Sequence, residues 1–304
     1  MTPGTTRGQN LGDRRRAHYL LARLDSERGR FDAALAHLLF VSSASGEAET
    51  PLRVLADLLI GEAHMKVGNF SEAEKRLRRA IDRGDALMAP STTSAGAAAT
   101  LETNCGDAVK DEWPLGLVLA WAHRTLADSH ARRGGDFHLA EKEVELALGL
   151  ARELRDLEEF RRADMIEGAC AATTGRIRLR ENEIRKAIDA LQEAVEKRAD
   201  SEMYLDLALA HERAAREAPD RRSRDAERDR AFEACESVMK IEAEGPFREA
   251  AIRLERRLEV LGGPDGTPRP LHDGERPHGK RRLDPTAHDA EEGAGTEAPS
   301  SGQS

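Results

Sequence analysis

The stretch RVLADLLIGEAHMKVGNFSEAEKRLRRAID, residues Arg53–Asp82, decides the fold. It reads as two helices back to back. Leu55, Leu58, Leu59 and Ile60 give the first an apolar stripe, and Phe70, Ala73, Leu77, Ala80 and Ile81 recur at helical spacing in the second. Between them sits Val67-Gly68-Asn69. Gly68 can adopt the left-handed conformation that ends a helix, and Asn69 can cap the next one with Glu72 three residues on. Gly61 and Ala73 are small enough to let the two backbones approach closely.

The same grammar recurs along the chain. Arg14–Ser43 carries Leu21-Ala22 late in a first helix, Gly29 at a turn, and Phe31, Ala34, Leu38 and Val41 in a second. From Leu115, Leu126-Ala127 is followed by Gly134-Gly135, then Phe137, Ala140, Val144 and Ala147. A helix from about Glu158 to Arg180 has Gly175 at the close-approach position. Asn182 replaces the turn glycine, which it can do because Asn tolerates the left-handed region, and Ile184, Ala187, Leu191 and Ala194 follow. Ser201 to about Glu217 holds Leu207-Ala208. A charged stretch, APDRRSRDAERDR, then displaces the second helix toward Ala231, Cys235 and Val238. After Gly245-Pro246, Phe247–Leu261 forms one more amphipathic helix, with Ala250, Ile252, Leu254 and Leu258 on its apolar side.

Small residue, turn glycine, aromatic, Ala, large apolar residue, Ala: this order, held in the second unit by Gly61, Gly68, Phe70, Ala73, Leu77 and Ala80, resembles a tetratricopeptide repeat. The resemblance covers about Arg14 to Leu261. The continuation EVELALGLARELRD resembles the longer repeats found in large bacterial regulators and kinesin light chains. The resemblance implies an all-α, right-handed superhelical solenoid of antiparallel helix pairs, with the last helix as a cap that shields the final repeat; the helix-B alanines read as five pairs, with four or six left open. Residues 1–13 are expected to be a flexible lead-in, and 14–262 the repeat domain. Within it, 84–114, rich in small and turn-forming residues, is expected to be an insertion. Residues 263–304 offer too little apolar surface to bury and are expected to be disordered.

Composition narrows the function. The chain has 304 residues, 34% charged and 4% aromatic, with a net charge of −9. That balance argues against a nucleic-acid coat. No apolar run approaches the ~20 residues that span a membrane, and the first residues hold no secretory core. Cys105, Cys170 and Cys235 form no CxxC pair, which fits a reducing, cytoplasmic compartment.

Chemistry is sparse. His64, His130 and His211 each fall three residues after a small position, so packing explains them better than ligation. His123 and His130 share a helix face, but two ligands do not make a zinc site. No nucleophile elbow or phosphate loop is present. Nothing asks for a catalytic residue, a metal or a cofactor.

The resemblance places a binding groove on the first helix of each pair, at fixed offsets from the small residue. Those offsets give Arg16, Tyr19, Arg23, Ser26 and Glu27; Leu55, Leu58, Glu62, Met65 and Lys66; Trp121, Arg124, Asp128 and Arg132; Arg176, Leu179 and Arg180; and Leu205 and Arg213. The set is mostly basic and apolar, which suggests an acidic protein or peptide partner with apolar anchors at Leu55, Leu58, Met65 and Trp121. Chaperone-tail-binding members of the family carry Asn one residue after the small position. Here Arg23, Glu62, Asp128, Arg176 and Leu209 stand there, which argues against that carboxylate clamp. Two non-catalytic functions follow: a protein- or peptide-binding scaffold, or the sensing arm of a bacterial regulatory system.

Overall fold

The computed structural model describes residues 5–28, 30–43, 50–89, 114–134, 136–156 and 160–261. They form eleven helices and no strand: α1 (Thr5–Glu27), α2 (Phe31–Ser42), α3 (Pro51–Lys66), α4 (Phe70–Met88), α5 (Leu115–Arg133), α6 (Phe137–Asp156), α7 (Phe160–Arg180), α8 (Ile184–Lys197), α9 (Ser201–Glu217), α10 (Arg221–Ile241) and α11 (Pro246–Leu261). All lie in one compact unit, Met1–Gly263. The expected tail, 263–304, lies outside the described residues, as do 90–113 of the expected insertion.

Helices pair as α1/α2, α3/α4, α5/α6, α7/α8 and α9/α10, and each pair packs on the next. One register repeats in every pair. The small residue of the first helix (Ala22, Gly61, Ala127, Gly175, Ala208) is buried, and so is an alanine in the second (Ala34, Ala73, Ala140, Ala187, Ala231). Four residues on, Leu38, Leu77, Val144, Leu191 and Cys235 fill the space beside it. A Cβ on Gly61 would sit 2.7 Å from Leu77 Cγ, and one on Gly175 2.5 Å from Leu191 Cγ. The glycines are there because the leucines occupy that room.

Turn chemistry follows the expected scheme. Gly68, Gly134 and Asn182 are left-handed, with φ of 77°, 71° and 63°. The Asn69 side chain accepts the Glu72 N–H at 3.4 Å. The Glu72 carboxylate does not close the box from its side. It takes Lys75 and Arg76, each at 3.3 Å.

Three boundaries differ from the sequence reading. Residues 5–13, expected as lead-in, are the first part of α1. Gly84 is not the start of an insertion: α4 continues to Met88, and Gly84 is a buried close approach where a Cβ would collide with Leu119. The charged stretch 218–230 does not displace a helix but begins one. Asp220 caps α10 by accepting the Ser223 N–H at 2.8 Å, so only Ala218 to Asp220 remain as connection.

Candidate functional site: the inner face of the first helices

From α3 onward the first helix of each pair lies on the inside of the stack. α3 packs on α5, α5 on α7, α7 on α9 and α9 on α11, whereas among the described residues successive second helices make no comparable contact. First helices in mutual contact, with no comparable contact between second helices among the described residues, define an inner face lined by α3, α5, α7 and α9.

Trp121 on α5 is the aromatic centre of that face. It packs against three apolar clusters, drawn from α3, α4 and α5, from α5, α6 and α7, and from α7, α8 and α9. Its indole N–H donates to Glu62 on α3. The guanidinium carbons of Arg124 and Arg198 lie 5.3 and 5.6 Å from its ring centre, within cation–π range. Arg124 also donates to the Ala169 carbonyl at 3.4 Å.

Beyond Trp121 a charge network crosses three first helices. Arg176 of α7 donates to Asp128 of α5 at 2.8 Å and to Asp206 of α9 at 2.6 Å, and lies 3.2 Å from Glu202. Arg132 donates to Asp128 at 2.9 Å and also reaches Glu202. Burial pushes the Asp128 carboxyl up, but Arg176, Arg124 and Arg132 outweigh it and hold it well below the usual carboxylate range. For Asp206 burial wins: its carboxyl is raised, with Glu202 adding to the effect and Arg176 only partly opposing it.

Between α1 and α3 the stack opens. A pocket of about 200 Å³ lies there, lined by Ala22, Arg23, Ser26, Leu38, Leu59, Glu62, Ala63 and Lys66. Its base is apolar. Arg23 and Lys66 are exposed, and Arg23 has no carboxylate partner among the described residues.

The structure sorts the expected groove residues. Arg23, Ser26, Glu62 and Lys66 meet at the pocket. Arg16 and Met65 are half-buried, Tyr19 packs on the apolar clusters of the first two pairs, and Arg180 is exposed. Arg213 bridges helices by donating to the Leu179 carbonyl at 2.8 Å. The Glu27 side chain lies outside the described residues. Leu55 and Leu58 are a correction. They are 5% and 0% exposed, packed with Leu115, Val118, Leu119 and Ala122, and cannot anchor a partner. Helix α3 is covered by α2, α4 and α5, so offsets that point inward on a less enclosed helix point here into the core. Asp128 and Arg176 are likewise consumed by each other. Sequence reasoning missed Glu202, Asp206 and Arg198. Asp206 stands two residues before the small Ala208, a register that a cross-repeat comparison of charges would have flagged.

The histidines and cysteines behave as packed residues. His123 and His211 contact Glu143 and Glu227 at 2.6 and 2.7 Å, and His130 lies 3.6 Å from Glu74. Burial raises the Cys170 and Cys235 thiols to about 12, so neither is a reactive thiolate. Among the described residues no helix is long and apolar enough to cross a membrane.

No protein-family model matches the sequence, and no curated protein matches it. Solved structures match the fold. The APC/C hetero-tetramer Cut9–Hcn1 aligns with a TM-score of 0.50 at 15% identity, over 80% of this chain and 35% of that one. This chain therefore spans about a third of the length of that relative. BtubC (BKLC) from P. vanneervenii aligns at 0.49 and 16% identity, over 79% of this chain and 86% of that one. The TPR protein TTC0263 of Thermus thermophilus aligns at 0.43 and 15%, over 81% and 98%. Identities this low speak to the fold alone. That fold is the tetratricopeptide-repeat solenoid.

Proposed function

We propose that this tetratricopeptide-repeat solenoid is a non-catalytic scaffold that receives a segment of a partner protein on the inner face of its first helices. The observation that carries the reading is Trp121. It is a large aromatic side chain, half-buried on the inner face, its indole N–H fixed by Glu62 and its ring flanked by Arg124 and Arg198. Such a rigid, partly desolvated aromatic beside guanidinium groups is the usual composition of an interface hot spot. The partner segment is acidic with apolar anchors. Arg23, Lys66 and Arg180 offer exposed positive charge, and Met65 and Trp121 offer apolar surface.

The test reverses charge at Arg23, Lys66 and Arg180 together, sparing the buried Arg176. Partner binding should weaken and its salt dependence should flatten while the helical circular-dichroism signal stays the same. Unchanged affinity and an unchanged salt slope would remove the inner basic face from recognition.

A further inference from the structure

His123, Leu126 and His130 share one side of α5, and by helical position it is the side opposite Trp121, Arg124, Asp128 and Arg132. There, away from the inner face, they floor a pocket of about 270 Å³ whose walls are α4 and the start of α6. Ile81 and Leu126 are buried in it, and Leu139 is exposed at its edge, so much of the lining is hydrocarbon.

Two imidazoles bring polarity into that lining. His123 and His130 are only 9% and 7% exposed, and packing accounts for one nitrogen of each ring. His123 Nδ1 lies 2.6 Å from Glu143, whose carboxylate accepts, so Nδ1 carries the proton and Nε2 of the neutral ring is left as an acceptor. His130 Nδ1 lies 3.6 Å from Glu74. Among the described residues neither Nε2 has a hydrogen-bond partner, and neither is sealed inside the protein. A largely buried polar atom without a partner calls for one. On the α4 wall Arg78 and Asp82 stand one turn apart, both exposed and both without an ion-pair partner among the described residues. An engineered apolar cavity of about 150 Å³ holds a benzene molecule, so this space takes a molecule of roughly ten non-hydrogen atoms.

We propose that this pocket binds a free α-amino acid with an apolar side chain the size of leucine or methionine. The side chain lies among Ile81, Leu126 and Leu139, where its desolvation is favourable. The α-ammonium donates to His123 Nε2 and faces Asp82, and the α-carboxylate faces Arg78. A molecule with the same hydrocarbon but only one of the two charged groups leaves either the imidazole or the guanidinium unsatisfied and binds less well. The ligand touches two consecutive helix pairs and stabilises their junction by mass action. The inference is independent of the inner-face reading, because it uses the opposite side of α5.

The experiment is isothermal titration of the full chain with each common amino acid, with isocaproate and isoamylamine standing for leucine without its ammonium and without its carboxylate. Leucine or methionine should bind saturably, with a Kd in the millimolar range or tighter, and the two analogues at least tenfold more weakly. Nitrogen NMR should show the Nε2 resonance of His123 moving on binding while that of His64 stays. Filling the pocket with Leu139→Trp, at an exposed position, should raise the Kd at least tenfold. Removing the rim charges with Arg78→Gln and Asp82→Asn should raise it at least fivefold, and Asp189→Lys on α8 should not change it. If Leu139→Trp disturbs the helical signal, the rim variant and the His123 resonance decide. No amino acid binding at millimolar concentration overturns the site. So does binding that both pocket variants leave intact, and so do isocaproate or isoamylamine binding as tightly as leucine. None of these outcomes bears on partner binding at the inner face.

Discussion

Arg176 and Asp128 occupy the same position of consecutive repeats, one residue after the small Gly175 and Ala127, and they bind each other at 2.8 Å. Side-chain exposures of 10% and 4% make this a buried pair. Removing one partner of such a pair costs about 3–5 kcal/mol, because a charge is left without compensation. Arg176→Met takes from Asp206 its guanidinium partner and leaves Asp128 with Arg132 alone. We expect that loss at the junction of α5, α7 and α9, since repeat arrays lose stability locally. Hydrogen exchange should show protection falling there before it falls in α3 and α4. Replacing Asp128 and Asp206 by Leu in the same variant should recover much of it. Uniform loss along the chain, or none, would contradict the assignment.

Asp128 and Asp206 answer pH with opposite signs. The folded value of Asp128 lies below its ordinary one, so its contribution is present at neutral pH and is lost only as pH falls through that low folded value. The folded value of Asp206 lies above its ordinary one. Its carboxyl binds a proton more readily in the folded chain, so its contribution is present in acid and lost as pH rises through the folded value. At pH 7, Asp128→Asn should therefore destabilise the array, while Asp206→Asn should leave the melting temperature unchanged or raise it. Equal losses from both would show that Arg176 pairs with them alike.

The close approach of α3 and α4 is tested by a double-mutant cycle. Gly61→Ala forces a methyl group against Leu77, for a cost on the order of 1–3 kcal/mol. Leu77→Ala creates a cavity at a cost of about 2–5 kcal/mol. Together they should cost clearly less than their sum, since the methyl enters the space the leucine vacates. Strict additivity in urea denaturation would mean that the two residues do not share that space.

The register of Gly61, Ala73 and Leu77 was legible because it is local. The helical period and the turn residues that set it lie within one repeat, and they specify the same fold wherever they recur. What was hidden depended on partners far along the chain. Leu55 and Leu58 look like surface anchors until α5 arrives to cover them. Arg176 looks like a free cation until Asp128, 48 residues earlier, and Asp206, 30 later, come into reach. The start of α10 reads as a loop because its residues are charged. Its helix rests instead on the Asp220 cap and on Glu227, 3% exposed and held by Arg185, His211 and Arg230. Gly84 reads as a turn because composition does not distinguish a glycine that bends the chain from one that admits a neighbour.

Burial lowers the value of His211 below its ordinary range, and the Glu227 carboxylate only partly opposes this. The unfolded chain then takes up the proton first. Stability from this residue is complete above about pH 6.5 and is lost as pH falls from there toward the folded value. Amide protection in α9 and α10 should therefore drop between pH 7 and 5 in the wild type and much less in His211→Gln, which stays neutral. Parallel loss in both proteins would place the acid-sensitive group elsewhere.

The claim on which the account depends is that a partner segment seats on the inner face. The most direct measurement places a photoreactive phenylalanine at Met65 or Arg180, on the first helices, and at the exposed Leu146, on the second helix of its pair. The full chains are then crosslinked in native lysate and the adducts mapped by mass spectrometry. The account predicts that Met65 and Arg180 yield adducts to the same partner segment, rich in Asp and Glu, while Leu146 yields none. A partner that crosslinks through Leu146 and not through the first helices would contradict it.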